Sequence, residues 1–577
     1  MSGWNRRYQF ITAALLCASF FQLYARLPSA CAESIKPPVS PQEIIRLGER
    51  LYRDGILPSG EPLMALVKGD LPVSGTAFSC VSCHLRSGFG SVEGGVFTPP
   101  TNGTMLYQPF RLLFKGLEQK YFPYPDRRPA YTDASLAEAL RRGDNPAGGH
   151  LNDVMPRYQL EDGDMAILIP YLKSLSAQYS PGVSTTTLRF ATVITDEVSP
   201  EDREAMLAPI EQYMNIKNSQ AQAYRKPMGG KSRQMAENML VSKELATRTL
   251  TLSRWVLKGP QRTWAGQLRE YYRKEPVFAL LGGITYGDWS VVHQFSEENR
   301  IPCLLPQTDV PVLSATDWYT LYPSKGFYQE GEAAARYLGI RDDVSPDRIV
   351  QIVRDSREGR ALAAGFDQTW EDLGHRAVLT MKLSSGQRIT SDFIRQLSVI
   401  GKPAAVLLWD GPETLPALDL LSTPSATPEL AFISARYLGK SLQSMSERSR
   451  LFTYITYPFS FAQTVIRTSM GSTTVEDDSK WRVSLANSPF NNSATGISSV
   501  TKSLTQLLTM ALMDMRGNYY RDNFFDVISM VPDQPSSAYA RLSFGPGQRY
   551  ASKGCYIVQL SPGTEPDLIR KSPWVIH

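Results

Sequence analysis

Apolar positions along this chain fall into two textures. Between Ser40 and about Leu175 they recur at helical spacing. Ile44, Leu47, Leu51 and Tyr52 share one side of a helix opened by Ser40-Pro41-Gln42-Glu43, a capping box with proline at the first helical position. Gly48, on the same stretch, offers a point of close approach. Leu168, Tyr171, Leu172 and Leu175 follow i, i+3, i+4, i+7 spacing on a closing helix capped by Asp162 or Asp164. Pro170 inside it predicts a kink. A loop-rich stretch, Ser87 to Arg128, lies between, followed by a short helix near Ser135 to Arg142. Ser176 to Thr187 is polar and broken by Pro181 and Gly182, which predicts a linker.

Beyond the linker, short apolar runs alternate with amphipathic stretches. Strands are predicted at Phe190–Ile194, Thr249–Leu252, Val277–Leu281, Cys303–Leu305, Arg348–Val353, Ala405–Trp409, Ala431–Ser434 and Phe452–Ile455. Helices fall between them, as at Trp264–Arg273 and Arg360–Leu373. This alternation predicts a parallel sheet with helices on both faces. About 390 residues are too many for one such lobe and suit two.

The start of the chain reads as an address. Arg6 and Arg7 precede an apolar run from Phe10 to Phe21, shorter than the ~20 residues a bilayer span needs. Ala30-Cys31-Ala32 then forms an A-x-A pattern, so residues 1–32 read as a secretory signal peptide cut after Ala32. A retained anchor is the alternative; a lipoprotein cut at Cys31 is disfavoured by Pro28. Export to the periplasm follows as an expectation, with no membrane span after cleavage. The formal charge is +5, from 61 Lys+Arg and 56 Asp+Glu; losing the leader's three Arg leaves +2. So small a charge gives no case for nucleic-acid binding. With 42% hydrophobic and 20% charged residues, the chain is neither disordered nor a polytopic membrane protein. Of six cysteines, Cys17 and Cys31 leave with the leader. Cys303 and Cys555 are expected as thiols rather than a bridge, since a bridge needs Cα atoms ~5–6 Å apart.

Cys80-Val81-Ser82-Cys83-His84 is C-x-x-C-H, the attachment pattern for one covalent haem c. Two thiols one turn apart meet the two vinyl groups on one haem edge, and the adjacent His84 supplies the proximal ligand. A zinc site or a redox-active C-x-x-C are the weaker alternatives; zinc wants a second ligand pair, absent from this region. Together with the Gly-bearing first helix, the Met155-Pro156 loop and the closing Tyr171-Leu172-x-x-Leu175 pattern, residues 40–176 resemble class I c-type cytochromes. That resemblance implies an all-α cytochrome domain with Met155 as distal ligand; His150 is the rival, and Met105 or an open position remain. His/Met ligation implies electron transfer with periplasmic redox partner proteins.

Residues 188–577 resemble type I periplasmic binding proteins, particularly branched-chain amino-acid receptors. The resemblance rests on Pro276–Thr285, Ile301–Pro306, Tyr319–Ser324 and Ile349-Val350 with Arg354–Arg360. It implies a bilobal α/β domain holding a small-molecule ligand or docking a partner. Ligands of open α/β sheets sit beyond the carboxyl ends of strands. Thr285, Tyr286, Thr308, Asp355, Ser356 and Asp410 follow apolar strand runs and are the candidate ligand contacts. Gly282-Gly283 with Gly287 is not a dinucleotide fingerprint, and no catalytic triad or metalloprotease signature stands out. The expected organisation is a leader (1–32), a cytochrome domain (33–176), a linker (177–187) and a two-lobed binding domain (188–577). The expected activity is single-electron transfer coupled to a fused binding domain. The alternatives are a ligand-responsive sensor or receptor, or an electron-accepting component of a dehydrogenase.

Overall fold

The computed structural model describes residues 40–576 apart from 69, 94–95, 111–127, 226–247, 398–400, 424–426, 462, 469–470, 477–480, 490–492 and 546. The leader, its cleavage after Ala32, and Cys17 and Cys31 lie outside the described residues. Compactness divides the chain into two units, the smaller ending at Ser79 and resuming over Thr132–Lys173, the larger comprising Cys80–Tyr131 and Ser174 onward.

In the smaller unit, helix α1 (Pro41–Asp54) starts where expected: the Ser40 hydroxyl accepts the Glu43 N–H at 3.2 Å, and Gly55 closes the helix at φ +64°. A β-carbon on Gly48 would lie 2.5 Å from Tyr171 Cβ, so this glycine sets how closely the two helices approach. This part of the chain is not all-α. β1 (Met64–Val67) pairs antiparallel with β2 (Leu71–Ser74), and β5 (Arg157–Tyr158) pairs with the other edge of β1. The sequence signal is short: buried Leu63 and Ala65 flank exposed Met64, a period of two too brief to stand out beside the helical pattern. α2 (Asp133–Arg142) carries a Thr132/Ser135 capping box. α3 (Asp162–Ser174) runs continuously through Pro170, with Leu168, Ile169, Tyr171 and Leu172 buried along it.

In the larger unit, Val81–His84 forms one helical turn, followed by the antiparallel pair β3 (Ser91–Glu93) and β4 (Val96–Thr98). Past Ser176 come two sheets. The first is wholly parallel, in the order β10-β9-β8-β6-β7, built from β6 (Thr187–Thr195), β7 (Thr249–Leu257), β8 (Ala279–Leu281), β9 (Cys303–Leu304) and β10 (Thr320–Leu321). α4 (Pro200–Arg225), α5 (Trp264–Lys274) and α6 (Ser290–Glu298) accompany it. The chain then crosses to a second lobe through α7 (Phe327–Gly339). Its sheet runs β12-β11-β13-β14-β15 in parallel and continues antiparallel through β19, β20 and β18. Its parallel strands are β11 (Ile349–Arg354), β12 (Leu379–Leu383), β13 (Ala405–Trp409), β14 (Leu430–Ser434) and β15 (Thr453–Tyr457). The antiparallel members are β18 (Arg482–Ser484), β19 (Gly554–Leu560) and β20 (Asp567–Arg570), while β16 (Gln463–Thr468) and β17 (Gly471–Glu476) pair antiparallel with each other. α8 (Arg357–Asp372) packs on α7, and α9 (Ala435–Leu438) caps the end of β14. The five central strands read as apolar runs because helices cover both faces.

Two helices late in the chain return to the first lobe. α10 (Ser493–Asp514) packs along α4, and α11 (Arg521–Ser529) carries Phe524, whose ring meets Phe278 edge-on at 5.5 Å. Arg521 is buried and donates to the carbonyls of Val277, Phe278, Asn299 and Arg300 at 2.6–3.1 Å. The two-lobed α/β architecture expected beyond the linker is therefore present. Strands at the lobe crossings are joined by Tyr322 N–H to Arg549 O (2.8 Å) and Ala551 N–H to Tyr322 O (3.0 Å). Cys303 and Cys555 are buried free thiols, as expected.

Candidate functional site

A cavity of about 490 Å³ opens between the two sheets at the carboxyl ends of their parallel strands. Ile284–Gly287 reach it from beyond β8 and Gln307–Val310 from beyond β9. Arg357 and Glu358 arrive from beyond β11, and Arg436 and Tyr437 from beyond β14. The first turns of α10 add Ser493, Ile497 and Val500. The turn past β8 is tight because Gly282 and Gly283 both take positive φ; a β-carbon on Gly283 would lie 2.5 Å from the Trp289 ring.

The walls pair apolar surface with fixed polar groups. Tyr286 donates its hydroxyl to Asp202, which also accepts the Ser493 hydroxyl at 2.7 Å. Thr285 is buried and donates to Glu197 at 3.0 Å while accepting the Gly287 N–H at 2.9 Å. Thr308 accepts the Val310 N–H at 3.4 Å. From the second lobe, Arg357 donates to the Tyr286 carbonyl at 3.4 Å, and Arg436 pairs with Asp309 of the first lobe. Burial pushes the Tyr539 phenol beside Arg436 up to about 12, so it stays neutral and able to donate.

Three of the six expected ligand contacts, Thr285, Tyr286 and Thr308, line this cavity. Ser356, Asp355 and Asp410 are not among its lining residues. Ser356 caps α8, its hydroxyl accepting the Gly359 N–H at 3.0 Å, and it meets the Tyr437 hydroxyl at 2.7 Å, one residue behind the wall. Asp355 is exposed and pairs with Arg360. Asp410 is buried and accepts both arms of Arg354 at 2.8 Å, forming an internal ion pair. Sequence reading missed Asp202, Asp309, Arg357, Arg436 and Tyr437. The rule that found Thr285 also points to Arg436 and Tyr437, two and three residues past the last residue of β14.

The Cys80–His84 turn lies elsewhere in the larger unit. Cys80 is buried and Cys83 exposed; burial, followed by Glu93, pushes the Cys83 thiol up. The His84 ring is buried with Nδ1 2.8 Å from the Pro99 carbonyl, and burial lowers it to about 4. Asp526 of α11 accepts the backbone N–H groups of Arg86 (3.1 Å) and Ser87 (2.8 Å), fixing the turn to the first lobe. Met155 sits in the smaller unit, half-buried, its N–H donated to Asn152 O at 3.0 Å. His150 is exposed beside Asp144 at 2.8 Å, and the Met105 carbonyl accepts Arg128 at 3.1 Å.

No protein-family model matches the chain, and no curated protein matches it. Solved structures do. An ABC transporter substrate-binding protein from Sphaerobacter thermophilus overlays with a TM-score of 0.46 at 11% identity, covering 68% of this chain and 98% of that one. A branched-chain amino acid ABC transporter protein from Thermus thermophilus with bound valine gives 0.42 at 10% identity, covering 68% and 97%. A solute binding protein from R. palustris in complex with benzoate gives 0.39 at 12% identity, covering 68% and 98%.

The expectation of a haem c on Cys80, Cys83, His84 and Met155 is corrected, and with it the electron-transfer reading that depended on it. Among the described residues no three or more His, Cys, Asp and Glu side chains gather as a metal-holding group.

Proposed function

We propose that this chain is an exported ligand-binding protein, active in the periplasm, whose cavity between two α/β lobes holds one small organic molecule. One observation carries this reading: loops from the carboxyl ends of both parallel sheets converge on a single cavity of about 490 Å³. That volume lies within the usual range for small-molecule pockets, which mix apolar walls with a few fixed polar groups. Here Ile284, Val310, Phe327, Ile497 and Val500 supply the apolar walls, and Tyr286, Thr308 and Tyr437 the hydrogen-bonding groups. Two of its carboxylates are fixed, Asp202 by the Tyr286 and Ser493 hydroxyls and Asp309 by Arg436. Among the described residues no helix is long and apolar enough to cross a membrane. Hand-over of the molecule to a membrane transport partner fits the same reading.

The test is a thermal-shift screen of small metabolites against the full chain. A ligand at a hundred times its Kd stabilises by about 2.7 kcal/mol, well within detection. Ile497→Trp, which fills the cavity, is expected to abolish the shift of every true ligand, and Tyr286→Phe to weaken binding by about five- to tenfold. A ligand that binds Ile497→Trp as tightly as the unmodified chain would show that the cavity is not the site.

A further inference from the structure

The charged groups in the cavity wall do not balance. Arg436 pairs with Asp309 and with Glu330 at 3.6 Å, so two carboxylates already answer it. Arg357 lies 3.9 Å from Glu358 and donates to the Tyr286 carbonyl at 3.4 Å. Among the described lining residues there is no other arginine, lysine or histidine. Asp202 is left over. It stands in the first turn of α4, is 7% exposed and lines the cavity. Its oxygens accept hydroxyls, Oδ1 from Ser493 at 2.7 Å and Oδ2 from Tyr286, and among the described residues no cation pairs with it. Behind Thr285 in the same wall, Glu197 likewise accepts hydroxyls, from Thr195 at 2.5 Å and Thr285 at 3.0 Å.

Hydroxyls orient a carboxylate but bring no charge to it, and a buried charge calls for a countercharge. The N-terminal end of α4 offers about half a charge, which leaves part of Asp202 unanswered even before Glu197 is counted. A cleft walled by one sign of charge concentrates ions of the other. The apolar part of the wall suits a cation too. Tyr286, Phe327, Tyr437, Phe459 and Tyr539 line it, and the faces of aromatic rings attract ammonium groups. The Arg436 guanidinium carbon, 5.2 Å from the Phe459 ring, already makes one such contact. We infer that the molecule this cavity takes is an organic amine, its ammonium against Asp202 and its apolar body among the aromatic rings and Ile497. An anion would instead meet Asp202 with both arginines already answered. This inference rests on the cavity being the ligand site and adds the sign of the ligand's charge.

Benzylamine, benzyl alcohol and benzoate share one shape and differ in charge, so isothermal titration of each into the full chain at neutral pH separates the two. Benzylamine is expected to bind at least about tenfold more tightly than benzyl alcohol, with benzoate the weakest, because a hydrogen bond to a charged group outweighs a neutral one. Asp202→Asn keeps an oxygen acceptor and removes the charge; in it the preference for benzylamine over benzyl alcohol should fall about tenfold. Ile497→Trp should abolish benzylamine binding. Benzoate binding more tightly than benzylamine would overturn the inference, as would an unchanged preference in Asp202→Asn or no binding by benzylamine. If the probe that does bind is lost in Ile497→Trp, the cavity still stands as the site and only the charge is wrong. Benzylamine binding as tightly to Ile497→Trp as to the unmodified chain would overturn both readings together.

Discussion

Replacing Asp410 by alanine would strand the Arg354 guanidinium inside the second lobe. The two side chains are 11% and 2% exposed and share two hydrogen bonds of 2.8 Å between β11 and the end of β13. Asp410 also accepts the Gly411 N–H at 2.8 Å, and after its loss Arg354 would keep the Ser384 carbonyl at 2.6 Å. Deleting one member of a buried ion pair costs about 3–5 kcal/mol, most of it from the uncompensated charge left behind. The penalty belongs to desolvation, not to the pair's own attraction, so removing both charges should relieve it. Arg354→Met with Asp410→Leu is expected to lie within about 1–2 kcal/mol of the unmodified chain. Urea unfolding followed by circular dichroism measures both, with the unchanged slope confirming that the same surface unfolds. A single Asp410→Ala variant within about 1 kcal/mol of the parent would refute the buried-pair account, as would a double variant as unstable as the single one.

Gly48→Ala places a methyl 2.5 Å from Tyr171 Cβ and should destabilise the smaller unit by about 1–3 kcal/mol, seen as a lower midpoint for its own thermal transition. Asp526 is held up to about 6, chiefly by burial, against the N–H groups of Ser87 and Arg86 that favour its charge. Between about pH 4 and 6 the folded chain therefore holds a proton that the unfolded chain has lost, so this group's contribution falls as pH rises through that window. Relative to Asp526→Asn, the unmodified chain should be more stable at pH 5 than at pH 7.5 by about 1 kcal/mol; an equal difference at both pH values would refute this. Mass measurement of periplasmically matured chain checks the correction on Cys80 and Cys83 directly: unmodified thiols agree with it, and a covalent adduct on both sulfurs would reverse it.

What the sequence made legible was set by periodicity. Parallel strands buried on both faces leave continuous apolar runs, and Ala405–Trp409 was bounded by that pattern alone as it stands in the fold. The Ser40 cap was equally readable because its chemistry is local. Strands β1 and β2 are only four residues each and could not outweigh a helical background. β18 and β20 were missed because their partners are distant in sequence and their burial alternates over a few residues. At the cavity, position after a strand picked out Thr285, Tyr286 and Thr308, which line it, and also Asp410, which pairs with Arg354 and is not among the lining residues. Proximity to a strand end does not say whether a carboxylate faces the cleft or an arginine on the neighbouring strand. The C-x-x-C-H pattern shows the same gap between spacing and setting: its spacing is local, while among the described residues no three or more His, Cys, Asp and Glu side chains gather as a metal-holding group.

Arg521 gathers four carbonyls belonging to residues 277–300, more than two hundred positions earlier in the chain. Its helix also covers Phe278 with Phe524. The first lobe is therefore not a segment that can be released by cutting the chain after β10. During synthesis its sheet must wait for residue 529 before that apolar face is covered, while the second lobe waits in turn for β19 and β20. Each lobe closes only through contacts of high sequence separation, which slows folding and prolongs exposure of apolar surface. Such a chain completes its two lobes together rather than one after the other.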